Sequence, residues 1–110
     1  MLGYKQAEPE LDEFSDEEIG KQLKKMRKRK GWSQEKMSAV MHISRSNISR
    51  MESGKLAVKY REFVKWAKST QSQDLAMSLF FNIDLSIAAD MVSNIQSVGT
   101  SILIIIGGLI

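Results

Sequence analysis

The chain has 110 residues, 43% of them apolar and 26% charged, which suits one folded core plus an extension but neither two cores nor a large cleft enzyme. Cysteine is absent and His42 is the only histidine, which excludes disulfide scaffolds, Cys/His zinc sites, thiol nucleophiles and Ser-His-Asp triads. The net charge of +3 hides a sharp partition: residues 1–18 hold seven acids against Lys5, residues 19–68 hold fifteen Lys/Arg against Glu35, Glu52 and Glu62, and residues 69–110 hold only Asp74, Asp84 and Asp90.

The first fourteen residues form a polar, acidic arm carrying Pro9, the only proline. They lack a basic-then-apolar run, so no secretory leader is expected. No internal repeat at solenoid periods is expected either.

A helix is predicted from Ser15, where Ser15 and Glu18 make a capping box and Asp16, Glu17 and Glu18 suit the positive helix start. Ile19, Leu23 and Met26 lie on one face of it, and Gly31 is a natural stop after a basic last turn. Ser33 can cap a second helix, Gln34 to Met41, with Met37 and Val40 or Met41 inward. Ser44 can cap a third, Arg45 to Met51, with Ile48 and Met51 inward and an end near Gly54. A fourth runs from about Tyr60 to Lys68, with Tyr60, Phe63, Val64 and Ala67 at core spacing. A shorter fifth follows Ser72 and carries Leu75, Leu79 and Phe80. No segment before residue 82 alternates like a strand. The predicted class is therefore all-α: a compact four- to five-helix bundle with a helix-turn-helix, followed by an apolar helical tail.

Only His42, Ile43 and Ser44 separate the second and third helices, and a turn that tight makes them cross steeply. The block of fifteen bases around them points to a polyanion. A merely solvated basic face would intersperse both signs.

The run Ile19-Gly20-Lys21-Gln22-Leu23-Lys24 through Lys30-Gly31-Trp32-Ser33-Gln34-Glu35, followed by Ile43-Ser44-Arg45-Ser46-Asn47-Ile48-Ser49-Arg50-Met51-Glu52-Ser53-Gly54-Lys55, resembles the Cro/cI (XRE-type) helix-turn-helix domain. That family comprises phage repressors and related bacterial regulators. The resemblance covers residues 19 to about 68. It implies double-stranded operator DNA as partner, a homodimer, a cytoplasmic location and no cofactor. It also implies a residue-level assignment. Gln34 would bond a phosphate and buttress the recognition helix. Ser44, at the start of that helix, would belong to the DNA-binding set; Arg45, Ser46 and Arg50 would face the major groove, with Asn47 and Ser49 close by. Ser53, Gly54 and Lys55 would approach phosphate, and Arg27 and Glu52 would form a structural ion pair. Arginine can bond guanine O6 and N7 with both arms, although Arg45 and Arg50 could instead clamp phosphates.

Two departures stand out. His42 occupies the turn position where the family usually has glycine and must adopt positive φ, at a cost of order 1 kcal/mol. The loop after the third helix lacks the family's common proline. Trp32 and Trp66 are expected to pack rather than stack on bases, and His42 has no second ligand for a metal. An enzyme is not expected, because no carboxylate pair has an acid–base partner.

Beyond residue 81 the reading is open. Asn82 to Ile87 alternates like a short strand, but Asp84 or Ser86 could equally cap a helix reaching Val98. Met91 to Ile110 is twenty residues without charge, which as one helix is about 30 Å long, the thickness of a bilayer core. It could bury its apolar face against a twin, anchor the protein to a membrane, or bind another protein. The organisation expected is an acidic arm at 1–14, a DNA-binding domain at 15–81 and an apolar tail at 82–110. A membrane-associated interaction protein or an antitoxin is the alternative reading.

Overall fold

In the computed structural model the described residues are 14–98, and for residues 95–98 the backbone alone. The acidic arm up to residue 13 and the apolar run from residue 99 lie outside them. The described residues form six helices and no strand: α1 (Asp16–Arg29), α2 (Gln34–Met41), α3 (Arg45–Glu52), α4 (Tyr60–Ser69), α5 (Gln73–Phe81) and α6 (Leu85–Val98). The all-α expectation holds: α1 to α5 are the bundle's five helices, and α6 lies in the segment expected to carry a helical tail.

Helix starts follow the local chemistry. At α1 the Ser15 hydroxyl accepts the Glu18 N–H at 3.0 Å and the Glu18 carboxylate accepts the Ser15 N–H at 3.0 Å, so both halves of the capping box form. Ser33 accepts the Lys36 N–H at α2, and Ser44 accepts the Asn47 N–H at α3. The start of α4 has no Ser, Thr, Asp or Asn; there the Glu62 carboxylate accepts the Lys59 N–H at 2.9 Å.

Ile19, Leu23 and Met26 of α1, Met37 and Met41 of α2, and Ile48 and Met51 of α3 are all buried. Phe63, Trp66 and Ala67 of α4 and Leu75, Ala76 and Met77 of α5 complete the core around them. Trp66 is a packing residue, as expected: it is wholly buried and its Nε1–H donates to the Leu23 carbonyl at 3.0 Å. Phe80 closes the far side, edge-on to Phe63 with ring centroids 5.4 Å apart.

At Gly20, α1 meets the end of α3 backbone to backbone. A Cβ on Gly20 would lie 2.5 Å from the Glu52 carbonyl oxygen and 2.6 Å from that of Met51. Only glycine lets α1 lie against the end of α3 at this distance.

The strand-like alternation at 82–87 is not a strand. Asn82 ends α5 in the left-handed region (φ 53°, ψ 49°), and α6 begins at Leu85 directly after Asp84. Alternation over so few residues cannot distinguish a strand from a turn whose Ile83 points inward before a new helix. Among the described residues no helix is long and apolar enough to cross a membrane.

Candidate nucleic-acid interface

The α2–α3 turn is built by three residues. His42 adopts φ 59°, ψ 41°, the left-handed conformation anticipated where glycine is usual. Its N–H reaches the Ser38 carbonyl, the Ile43 N–H donates to that same carbonyl at 3.2 Å, and the Ser38 hydroxyl donates to the Ile43 carbonyl at 2.5 Å. Ser38 thereby satisfies both polar groups of Ile43, whose side chain packs against the core. Ser44 then opens α3.

The far end of α3 is held by a buried polar cluster. Arg27 Nε donates to Glu52 Oε2 at 2.6 Å and Nη2 to Oε1 at 2.9 Å, while Nη1 donates to the Trp32 carbonyl at 2.8 Å. Gln34 Nε2 donates to Glu52 Oε1 at 3.1 Å. One carboxylate at the last residue of α3 thus collects α1 and the first residue of α2, and Arg27 ties in the α1–α2 loop through the Trp32 carbonyl. Only 9% of the Arg27 side chain and 3% of the Glu52 side chain are exposed, so the pair is two-pronged and shielded from water.

Between these fixed ends α3 turns its polar side outward. Arg45, Ser46 and Arg50 are exposed, Asn47 and Ser49 half-buried, and Ile48 and Met51 wholly inward. Arg50 Nη1 lies 3.5 Å from Asn47 Oδ1, a long contact that leaves the guanidinium free to reorient. Past the helix Gly54 takes φ 82°. The N–H groups of Ser53, Gly54 and Lys55 donate to the carbonyls of Ser49, Met51 and Arg50 at 3.0, 3.3 and 2.8 Å. These amides close the end of α3, so what this loop offers an anion is the exposed Lys55 side chain.

The structure therefore brings Arg45, Ser46, Asn47, Ser49 and Arg50 onto one helix, with Ser44 at its start and Lys55 just past its end. Gln34 sits at the start of α2, tied to Glu52. Sequence reasoning overlooked Lys30 and Lys36, whose ammonium groups lie 5.4 and 5.5 Å from the Trp32 ring centre. The signal was available in the closeness of both lysines to Trp32 in sequence. Among the described residues no cluster of His, Asp and Glu could hold a metal.

Away from this face, Arg29 at the end of α1 forms a two-pronged pair with Asp74 on α5, at 2.6 and 2.8 Å. The hydrogen bonds from Arg29 hold the Asp74 carboxyl below its ordinary range against the opposing effect of partial burial, and the Leu75 N–H lowers it further.

Comparison with known proteins agrees with this geometry. Residues 23–72 match a protein family described as Helix-turn-helix. The chain is also similar to the competence pilus inhibition repressor of Acinetobacter baylyi, with 43% identity over 37 residues. That stretch is 34% of this chain and 34% of the relative, so the chain spans about a third of the length of the curated relative it matches. No solved structure gives a significant match. A left-handed turn between two short capped helices, an ion pair locking the second of them, and the match over the same residues lead to one conclusion: residues 23–72 are a helix-turn-helix domain of the XRE type.

Proposed function

We propose that the protein is a sequence-specific double-stranded-DNA-binding transcriptional regulator that represses by occupying an operator. The carrying observation is the exposed row Arg45, Ser46 and Arg50 on a helix whose two ends are fixed by the Ser38 turn and the buried Arg27–Glu52 pair. The helix-turn-helix match and the relative's description as a repressor support the reading. In it, α3 enters the major groove, Arg45 and Arg50 bond base edges, and Lys55, Lys36 and the Gln34 amide meet phosphates. Two subunits read half-sites about 34 Å apart, one turn of the duplex. The relevant compartment is the cytoplasm, where the DNA is.

The test is selection of a binding site from a random duplex pool, followed by titrations of that site at several salt concentrations. Log affinity should fall linearly with log salt by about 0.9 for each phosphate neutralised. Arg50→Ala should flatten the preference at one or two base pairs, each worth about 1–3 kcal/mol. Lys55→Ala should weaken every sequence alike and reduce the salt slope by about one contact. If both variants weaken all duplexes equally, Arg50 is a phosphate clamp and not a base reader.

A second reading, a tether at a membrane surface, is favoured by the twenty uncharged residues from Met91 to Ile110. It expects the intact protein in the membrane fraction of cells and Ile104→Lys in the soluble fraction.

A further inference from the structure

The connection between α5 and α6 satisfies its own backbone. Asn82 reverses the chain with φ 53°, and the Ser78 hydroxyl donates to the Ile83 carbonyl at 2.7 Å. The Ser78 carbonyl accepts the N–H groups of Ile83 and Asn82. What the connection presents to its surroundings is therefore side chains. Between it and α1 opens a groove of about 470 Å³, within the size range of small-molecule sites. Leu75, Leu79, Phe80, Ile83 and Leu85 give the groove apolar walls, and Phe14 adds a ring from the residues before α1.

Three polar side chains border the same groove without a use in the fold. Gln22 and Lys25 stand one turn apart on α1, and Asn82 faces them from the connection. Among the described residues neither the Gln22 amide nor the Asn82 amide has a side-chain hydrogen bond. Lys25 has no ion pair there either, since the pairs formed are Arg27 with Glu52 and Arg29 with Asp74. No Asp or Glu of the described residues lines the groove, so its one charge is the Lys25 ammonium. That group brings three donors and each amide two, all beside apolar walls. An acceptor-only anion joined to hydrocarbon is the chemistry that answers both halves.

We propose that this groove binds a free medium-chain carboxylate, a single amphiphilic molecule taken from solution. Its head lies against Lys25 with the Gln22 and Asn82 amides beside it, and its chain lies along Leu79, Ile83 and Leu85. A dry cavity of about 150 Å³ accommodates benzene, so a half-open groove about three times larger suits a chain of roughly ten carbons. Lined by α1, α5 and the start of α6, it admits one chain rather than the plane of a bilayer. The apolar walls offer nothing to a nucleic-acid backbone. The site is also separate from the helix-turn-helix face. Gly20 and Arg27 are the α1 residues that meet the end of α3, whereas Gln22 and Lys25 lie on the opposite flank of the same helix. Occupancy of the groove therefore stands or falls without the operator reading.

Titration of the intact chain with decanoate, kept below its micelle range and followed by nuclear magnetic resonance, tests this. The side-chain amide signals of Gln22 and Asn82 and the methyl signals of Leu79, Ile83 and Leu85 should shift together and saturate. Lys25→Gln, at an exposed position, should keep the folded spectrum and weaken binding about tenfold. Leu85→Asn, also exposed, should weaken it through the chain and leave the preference for an anion intact. Decyltrimethylammonium has a chain of the same length and the opposite charge, and should bind about tenfold more weakly or worse; acetate, a head without a chain, should shift nothing. Four results would overturn the assignment: no saturable shift, equal binding of the cation, unchanged affinity in Lys25→Gln, or shifts confined to the exposed Phe81 and Ile87. So would decanoate binding that appears only once residues 1–12 are removed, because the groove would then belong to the acidic arm.

Discussion

Glu52 shows how much one side chain can decide. It is the last residue of α3, is 3% exposed, and accepts three hydrogen bonds from Arg27 and Gln34. Removing one partner of a shielded pair strands the other charge, so Glu52→Ala should cost about 3–5 kcal/mol of stability in chemical denaturation. That is a large share of the total expected for a domain of this size. A loss under about 1 kcal/mol would mean that water reaches Arg27 and the pair is not shielded. The ion pair was legible in the sequence because Arg27 and Glu52 fall on matching family positions; the third partner was only half legible. Gln34 carried the expectation of a phosphate contact together with a buttressing role, and the structure displays the buttress. The resemblance has Ser53, Gly54 and Lys55 approaching phosphate; in the structure their backbone amides donate to carbonyls that the end of α3 leaves open.

Between elements, two contacts set where α3 stands. Gly20 lets α1 meet the end of α3 backbone to backbone. The atoms that a Cβ would strike, the Met51 and Glu52 carbonyl oxygens and the Glu52 carbonyl carbon, are backbone of a capped helix, which cannot swing aside. Gly20→Ala should therefore destabilise the fold by about 1–3 kcal/mol despite alanine's better helix propensity. A more stable variant would show that α1 and α3 can part without loss. The second contact, Arg29 with Asp74, joins α1 to α5. Because folding lowers the Asp74 pKa, its contribution is present above the unfolded carboxyl value of about 3.9 and is lost as pH falls through the lower folded value. The pair is partly exposed, so Asp74→Asn should cost under about 1 kcal/mol at neutral pH. Thermal melts of variant and parent should converge as the pH falls through the lowered Asp74 value, and a constant gap would dismiss the pair as the cause. The first three helices and their caps could be read almost residue by residue, since Ser15, Ser33 and Ser44 each precede an apolar period, and the fourth from its apolar spacing alone. The end of α5 could not. Asn82 reverses the chain without glycine or proline to mark the turn, and Asp84 and Ser86 looked equally good as starts of the next helix.

Across the whole molecule, charge is arranged in series: an acidic arm, a basic helix-turn-helix and an uncharged end. Asp16, Glu17 and Glu18 are the first turn of α1, and the arm before it adds four more acids, Glu8, Glu10, Asp12 and Glu13, next in sequence to the basic surface of that helix. If they compete with duplex DNA for that surface, removal of residues 1–14 should raise affinity for random DNA at low salt. The gain should shrink as the Debye length falls to about 8 Å near physiological ionic strength. Equal affinity with and without the arm, measured by fluorescence anisotropy at low salt, would leave the acids only their helix-start and solubility roles. Along the same series, α3 exposes the Arg45 and Arg50 guanidinium groups, while the end of α5 and the start of α6 expose Phe81, Leu85 and Ile87.

The cluster around Glu52 has one more consequence. Because Arg27, Gln34 and the Trp32 carbonyl already hold α3 at one end and Ser38 fixes the turn at the other, the helix meets a groove as a finished rod. The ordering that accompanies recognition is then confined to the long side chains of Arg45, Arg50 and Lys55, each losing up to about 2 kcal/mol of rotamer freedom. Amides along α3 should exchange with deuterium at the pace of the buried core before any nucleic acid arrives, and DNA should slow them little further.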